Sequence, residues 1–148
     1  MTRAHVSASL AAQVLADAGH RCGYCHTDEH FTGMACSIEH IVPVSRGGQT
    51  RRENLWRSCR DCNERKGAQI TSRDPLNQEM AALFNPRTQH GNDHFQWSTD
   101  GMTIDGTTAT GRATVIALDL NRPLQCVARQ RWVQAGWHPP DDDTQHRD

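Results

Sequence analysis

Two Cys-x-x-Cys pairs constrain the fold of this chain more than any other feature of its sequence. The first pair is Cys22 and Cys25, the second is Cys59 and Cys62, and 33 residues separate the two pairs. Such pairs can present four thiolates to one tetrahedral Zn²⁺ at about 2.3 Å. Because cysteine fills all four positions, the pattern predicts a structural zinc site with a folded segment between its two halves.

The cysteine usage also bears on the compartment. Six cysteines would fit three disulfides in an oxidising compartment, whereas two matched pairs indicate a metal in a reducing one, with Cys36 and Cys126 left as buried thiols. A thioredoxin-like redox role is not favoured, because no βαβ pattern surrounds either pair. No secretory signal is recognisable, and no apolar run reaches the ~18 residues of a membrane span. We therefore expect a cytoplasmic protein with no membrane partner.

Charge is unevenly distributed along the chain. The 148 residues carry a net charge of −1. Only 36% of them are apolar, so the hydrophobic core is small and a structural metal would help to order it. Between His40 and Arg73, eight basic and three acidic residues give a local charge of +5. A basic segment in a neutral chain suits a phosphate-binding surface. A solvated arginine-rich face explains the same charge without any ligand.

Local patterns predict an α+β protein. The segment from Ser7 to Ala18 predicts a helix that Gly19 ends, and the segment from Ala35 to Val42 has strand character. Further predicted elements are a short helix at 63–69, a helix at 74–83, a β-hairpin around Thr99-Asp100-Gly101, and helices at 110–121 and 124–135. The predicted domains are a zinc-clipped core at 1–73, a C-terminal α/β subdomain at 74–138 and a disordered tail at 139–148.

The interval between the cysteine pairs contains residues suited to hydrolysis. His40 can serve as a general base, because the unperturbed pKa of histidine lies near neutrality. Glu39 and Asn63 offer oxygen ligands suited to Mg²⁺ or Mn²⁺. Neighbouring residues on a strand point to opposite faces, so Glu39 and His40 need a local bend, or a metal beyond the strand end, to act together.

These motifs follow one another in a specific order: Glu39-His40-x-x-Pro43, Ser45-Arg46-Gly47-Gly48, Asn54-Leu55 and Cys59-x-x-Cys62-Asn63-x-x-Lys66-Gly67. The series resembles the HNH endonucleases of the ββα-metal (His-Me finger) type, in particular small stand-alone bacterial members with a four-cysteine zinc site. The likeness covers roughly residues 20 to 70. It implies a zinc-stabilised ββα core, here with an N-terminal helix and a C-terminal β-hairpin plus helices, and metal-dependent hydrolysis of phosphodiester bonds in DNA.

The resemblance also implies a role for each motif residue. His40 would be the general base, Glu39 and Asn63 would hold the catalytic divalent ion, and Asn54 would orient the histidine through the loop. The candidate catalytic residues are thus His40, Asn54 and Asn63, and the implied cofactors are structural Zn²⁺ and catalytic Mg²⁺ or Mn²⁺. Expected phosphate contacts are Arg46, Arg65 and Lys66, the last being the only lysine in the chain.

Two other interpretations are compatible with part of the sequence. A non-catalytic zinc module that binds nucleic acid would explain the cysteines and the +5 segment, but it leaves Glu39-His40, Asn54 and Asn63 without a purpose. A zinc ribbon that binds proteins would predict no affinity for DNA and no salt dependence. The nuclease hypothesis makes DNA the expected partner. It leaves the oligomeric state open, although a homodimer would suit a double-strand cut.

Overall fold

The computed structural model describes residues 5–141, which fold as two units. The first unit takes in the described residues up to Ile70 together with Asn85–Arg87, and the second comprises Thr71–Phe84 and the described residues from Thr88 onward. Within residues 5–141 the helices are accompanied by three two-stranded antiparallel sheets, so the fold class is α+β as predicted. Of the tail predicted at 139–148, the part from position 142 onward lies outside the described residues.

The first unit begins with helix α1 (Ala8–Ala18), which confirms the predicted N-terminal helix. The hydroxyl of Ser7 caps it by accepting a hydrogen bond from the Leu10 backbone amide at 3.1 Å, and Gly19 ends it with a positive φ of 68°. Val14 is the fully buried residue of this helix. Its apolar face packs on the sheet described next.

A β-hairpin and a helix follow in the order ββα. A short helix α2 (Glu29–Thr32) precedes strand β1 (Ser37–His40), which pairs in antiparallel fashion with β2 (Leu55–Ser58). Helix α3 (Arg60–Lys66) comes directly after β2 and begins three residues earlier than predicted, because the Cys59 sulfur caps it. The register pairs Glu39 with Trp56 and His40 with Leu55. The two cysteine pairs therefore flank the hairpin, and His40 is the last residue of its first strand.

The described part of the second unit, which ends at residue 141, contains two hairpins and three helices. In chain order its elements are β3 (Thr71–Arg73), β4 (Met80–Ala82), α4 (Gly91–His94), β5 (Phe95–Trp97), β6 (Ile104–Gly106), α5 (Ala109–Ala117) and α6 (Pro123–Gln134). The predicted hairpin at Thr99-Asp100-Gly101 is present as β5–β6. The predicted helices at 110–121 and 124–135 are also present, although α5 ends at Ala117; the hydroxyl of Thr108 caps it by accepting from the Gly111 amide.

The predicted helix at 74–83 is wrong, because this segment forms the turn and second strand of the β3–β4 hairpin. Asp74 is completely buried, and its carboxylate accepts hydrogen bonds from the Leu76 amide and from Arg112. The Asp74 amide in turn donates to the Glu79 carbonyl at 2.8 Å, which closes the turn. A partner 38 positions away therefore overrides the local helix signal. None of the helices in the described part of the chain is long and apolar enough to cross a membrane.

Candidate active site and metal centre

The four paired cysteines converge at one point. The Sγ atoms of Cys22, Cys25, Cys59 and Cys62 all lie within 4.8 Å of one another. Cys25 and Cys59, from different pairs, place their Sγ atoms 3.7 Å apart. Ligands at about 2.3 Å from a tetrahedral Zn²⁺ would be about 3.8 Å apart. All six cysteines are free of disulfides, so the donor number, chemistry and spacing fit a zinc ion.

Local backbone geometry builds this sulfur cluster. The Tyr24 amide donates to the Cys22 sulfur, and the Cys62 amide donates to the Cys59 sulfur, each at 3.4 Å. Such bonds favour the thiolate that a metal needs. Gly23 lies so close to Trp56 that an added Cβ would come within 2.4 Å of the indole ring. A residue with a Cβ atom would therefore collide with the indole ring at position 23. Because Trp56 belongs to strand β2, this close approach packs the first cysteine pair against that strand.

Glu39 points to the buried side of the hairpin. Its side chain is 4% exposed, and its carboxylate accepts a short hydrogen bond from the hydroxyl of Tyr24. Burial raises the pKa of Glu39, and attraction to the nearby Lys66 ammonium opposes this rise. Since Tyr24 lies between two zinc-site cysteines, the glutamate is held by the same segment that forms the metal centre.

Lys66 is also buried, which argues against its predicted contact with phosphate. It is 2% exposed, and its Nζ atom donates a hydrogen bond to the Ile41 carbonyl at 2.8 Å. Desolvation lowers the pKa of Lys66, while the Glu39 carboxylate acts in the opposite direction. The ammonium thus ties helix α3 to the residue that follows His40, and places a positive charge beneath the site rather than on its surface.

His40 lies half-buried at the end of β1, and because neighbouring side chains alternate along a strand it points away from the side of Glu39. Its Nε2 atom is 2.9 Å from the hydroxyl of Thr50, and within residues 5–141 no hydrogen bond to its Nδ1 atom is found. Burial lowers the pKa of His40, and the Lys66 charge lowers it further. The imidazole is therefore neutral near pH 7, which is the form that can accept a proton.

Asn54 braces the loop between His40 and β2. Its Oδ1 atom accepts from the Val42 amide at 2.8 Å, and its Nδ2 atom donates to the carbonyls of Val42 and Gln49 at 3.0 and 2.9 Å. The loop is tight, because an added Cβ at Gly48 would lie 1.7 Å from the Val42 carbonyl oxygen. These bonds hold the chain on both sides of the loop and thereby fix the residue after Gln49, which is Thr50.

The other predicted site residues are exposed. Asn63 lies on α3 immediately after Cys62, and within the described residues no hydrogen bond to its side chain is found. Arg65 is exposed on the same helix. Arg46 is exposed in the loop, where its Nε atom donates to the Ala68 carbonyl. The structure thus leaves the amide of Asn63 available as a ligand and two guanidinium groups at the surface, but it places Glu39 among buried partners.

Two residues of the site were not predicted from the sequence. Tyr24, the only tyrosine of the chain, stands inside the first cysteine pair, and this unusual position was a signal that could have suggested its role. Thr50 carried no such signal, since a threonine in a polar loop is unremarkable in sequence. Its proximity to His40 depends on how the loop folds back.

A β-hairpin followed by a helix, with four cysteines that can hold a metal ion and a histidine at the end of its first strand, defines a ββα domain with a metal centre. Residues 22–69 match the family model described as HNH endonuclease. The chain therefore contains an HNH endonuclease domain, and this domain implies a nucleic acid as substrate. A search of curated proteins and a search of solved structures gave no match.

Proposed function

We propose that this protein is a metal-dependent endonuclease that hydrolyses phosphodiester bonds in DNA, with His40 as the general base. The observation that carries the proposal is the position of His40, which is half-exposed and hydrogen-bonded within residues 5–141 through Nε2 alone, in surroundings that lower its pKa. A histidine in this state can take a proton from an attacking water. The HNH family match of the surrounding segment supports this use of the residue.

Glu39 and Asn63 are the proposed ligands of the catalytic divalent ion, Mg²⁺ or Mn²⁺. Their oxygen donors suit such a cation, and Asn63 is exposed. Glu39 can contribute if its carboxylate exchanges the Tyr24 hydroxyl for the cation, or binds through its second oxygen. When bound, the cation would offset negative charge developing on the phosphate and on the departing oxygen.

The remaining residues would support His40 and the substrate. Asn54 would keep the loop in the shape that presents the imidazole. Arg46 and Arg65 are the proposed phosphate contacts, because their guanidinium groups are exposed. Lys66 would act indirectly, through its buried charge and its bond to Ile41. We further propose a cytoplasmic location, since the four thiolates must stay reduced to hold zinc.

A non-catalytic nucleic-acid-binding zinc module remains the alternative function. The exposed Arg46 and Arg65 together with the cysteine cluster favour it, because these features suffice for binding. Such a module would retain DNA in a salt-dependent manner without nicking it. Cleavage of DNA therefore separates the two functions, whereas DNA affinity does not.

The test is incubation of the zinc-loaded protein with supercoiled plasmid DNA, and in parallel with RNA, in Mg²⁺, Mn²⁺ or Zn²⁺ and with chelator. His40→Ala should abolish cleavage and keep the zinc content. His30→Ala is the matched control, because His30 is an exposed histidine whose ring, within residues 5–141, bonds to Asp28 and meets the ring of His20 edge to face. Cleavage by His40→Ala at the parental rate would overturn the proposed role of His40.

A further inference from the structure

The contact between His40 and Thr50 is the basis of an inference about how the base is prepared. The Nε2 atom of His40 lies 2.9 Å from the Oγ1 atom of Thr50, and both residues are half-buried. It is the only side-chain hydrogen bond that His40 makes within residues 5–141. A specific bond to one ring nitrogen determines the proton's position on a neutral imidazole.

A neutral imidazole has one N–H donor and one lone pair, so the two nitrogens have different functions. A hydroxyl can accept from Nε2–H, or it can donate to a bare Nε2. In the first case the lone pair is on Nδ1, to which no residue of the range 5–141 makes a hydrogen bond. In the second case Nδ1 carries the proton, and the only basic nitrogen is already occupied by the hydroxyl.

We propose that Thr50 is a positioning residue for His40: its hydroxyl accepts the Nε2–H hydrogen bond and so directs the lone pair of Nδ1 toward the attacking water. This inference rests on the proposed function of His40 as the base. The proton balance is simple, because the water proton moves to Nδ1 while Nε2 keeps its own. The ring then becomes a cation whose Nε2–H still donates to Thr50.

The fold holds Thr50 in place for this purpose. Asn54 donates to the carbonyl of Gln49, the residue before Thr50, and also bonds to both backbone groups of Val42, two residues after His40. The histidine and the threonine are therefore anchored through one asparagine side chain. Because a charged donor makes a stronger hydrogen bond than a neutral one, the bond to Thr50 strengthens as the proton is taken. Its loss should therefore lower kcat more than it changes KM.

Two variants test the inference, one that conserves the size of the side chain and one that conserves its hydroxyl. Thr50→Val keeps the shape and removes the hydroxyl, whereas Thr50→Ser keeps the hydroxyl. We expect Thr50→Val to lower kcat by about 10- to 100-fold, a part of the ~10²–10⁴-fold that a general base supplies, with little change in KM. Thr50→Ser should restore most of the rate. A purely structural role would not produce this rescue pattern together with an unchanged KM.

A second readout does not depend on cleavage. The sample is the protein loaded with zinc, with ¹⁵N-labelled histidine and without added Mg²⁺ or Mn²⁺. Long-range ¹H–¹⁵N spectra of this sample report which ring nitrogen of His40 carries the proton. The signals of His40 are those that disappear in His40→Ala. The parent and Thr50→Ser should show the Nε2–H form, and Thr50→Val should show a mixture of the two forms. An Nδ1–H form in the parent would overturn the inference, even if Thr50→Val fails to fold.

The outcomes separate the inference from the function on which it rests. If the parent cleaves, His40→Ala does not, and Thr50→Val has the parental kcat, the role of Thr50 is refuted while the function stands. If the parent does not cleave with any of the metals, or His40→Ala cleaves as fast as the parent, the role of His40 as base fails and that of Thr50 fails with it.

Discussion

Replacing Asn54 by aspartate is the substitution that most directly tests how the loop is held. Asparagine and aspartate have the same shape, so the change alters hydrogen bonding with little effect on packing. The Oδ1 atom that accepts from the Val42 amide is kept. The Nδ2 atom that donates to the carbonyls of Val42 and Gln49 is replaced by an oxygen that accepts only.

The expected loss of stability follows from these bonds. Each net hydrogen bond contributes about 0.5–1.5 kcal/mol, so losing the two donated bonds should cost about 1–3 kcal/mol. The carboxylate would also face two carbonyl oxygens, and this repulsion adds to the loss. Asn54→Ala loses all three bonds without the repulsion. We therefore expect Asn54→Asp to be at least as destabilising as Asn54→Ala, although it is the closer match in shape.

Calorimetry of the zinc-loaded protein measures this effect, with the transition of the first unit identified by its rise in Tm when zinc is added. For a unit of this size, 1 kcal/mol corresponds to about 4–8 °C in Tm. The matched control is Asn77→Asp, because Asn77 is exposed and, within residues 5–141, its side chain bonds through Oδ1 alone, which accepts from the Glu79 amide. Asn77→Asp should leave Tm nearly unchanged. An unchanged Tm for Asn54→Asp would refute the bracing role.

Three further predictions concern the zinc site, the buried lysine and the second unit. Cys59→Ser should lose bound zinc by elemental analysis and melt at a much lower temperature than His40→Ala, and equal melting of the two variants would contradict a structural zinc. Lys66→Met should lower the unfolding free energy by about 1–3 kcal/mol, because the Ile41 carbonyl loses its hydrogen-bond donor. Arg60→Met, on the exposed side of the same helix, should leave the unfolding free energy nearly unchanged. A loss of DNA affinity by Lys66→Met at unchanged stability would instead favour a phosphate contact. Hydrogen bonds from Arg112 hold the pKa of Asp74 below its usual 3.8, so the stability difference between the parent and Asp74→Asn should be fully present above pH 3.8 and disappear as the pH falls through the lower folded-state pKa. Denaturant unfolding at several pH values measures it, and a difference that grows in acid would show that the sign is wrong.

The sequence alone was sufficient for the features that depend on short spacing and order. Two Cys-x-x-Cys pairs specify a four-sulfur cluster because each pair forms a local turn, and the cluster is present. The first strand and the helix after the second pair follow from local patterns, whereas the strand between them was implied only by the resemblance to the family. The first helix was predictable for the same reason, since its cap and its stop lie within the helix's own flanking residues.

Tertiary structure decided the features that depend on partners far apart in the chain. Glu39 is buried because the Tyr24 hydroxyl, 15 residues away, holds its carboxylate. Lys66 is buried because it reaches a carbonyl 25 residues away. The segment after Asp74 became a hairpin because Arg112 captures that carboxylate. Thr50 reaches His40 only because Asn54 folds the loop back. Hydrogen bonds between distant residues compensate the burial of polar groups, and no local sequence pattern encodes which distant partner will be present.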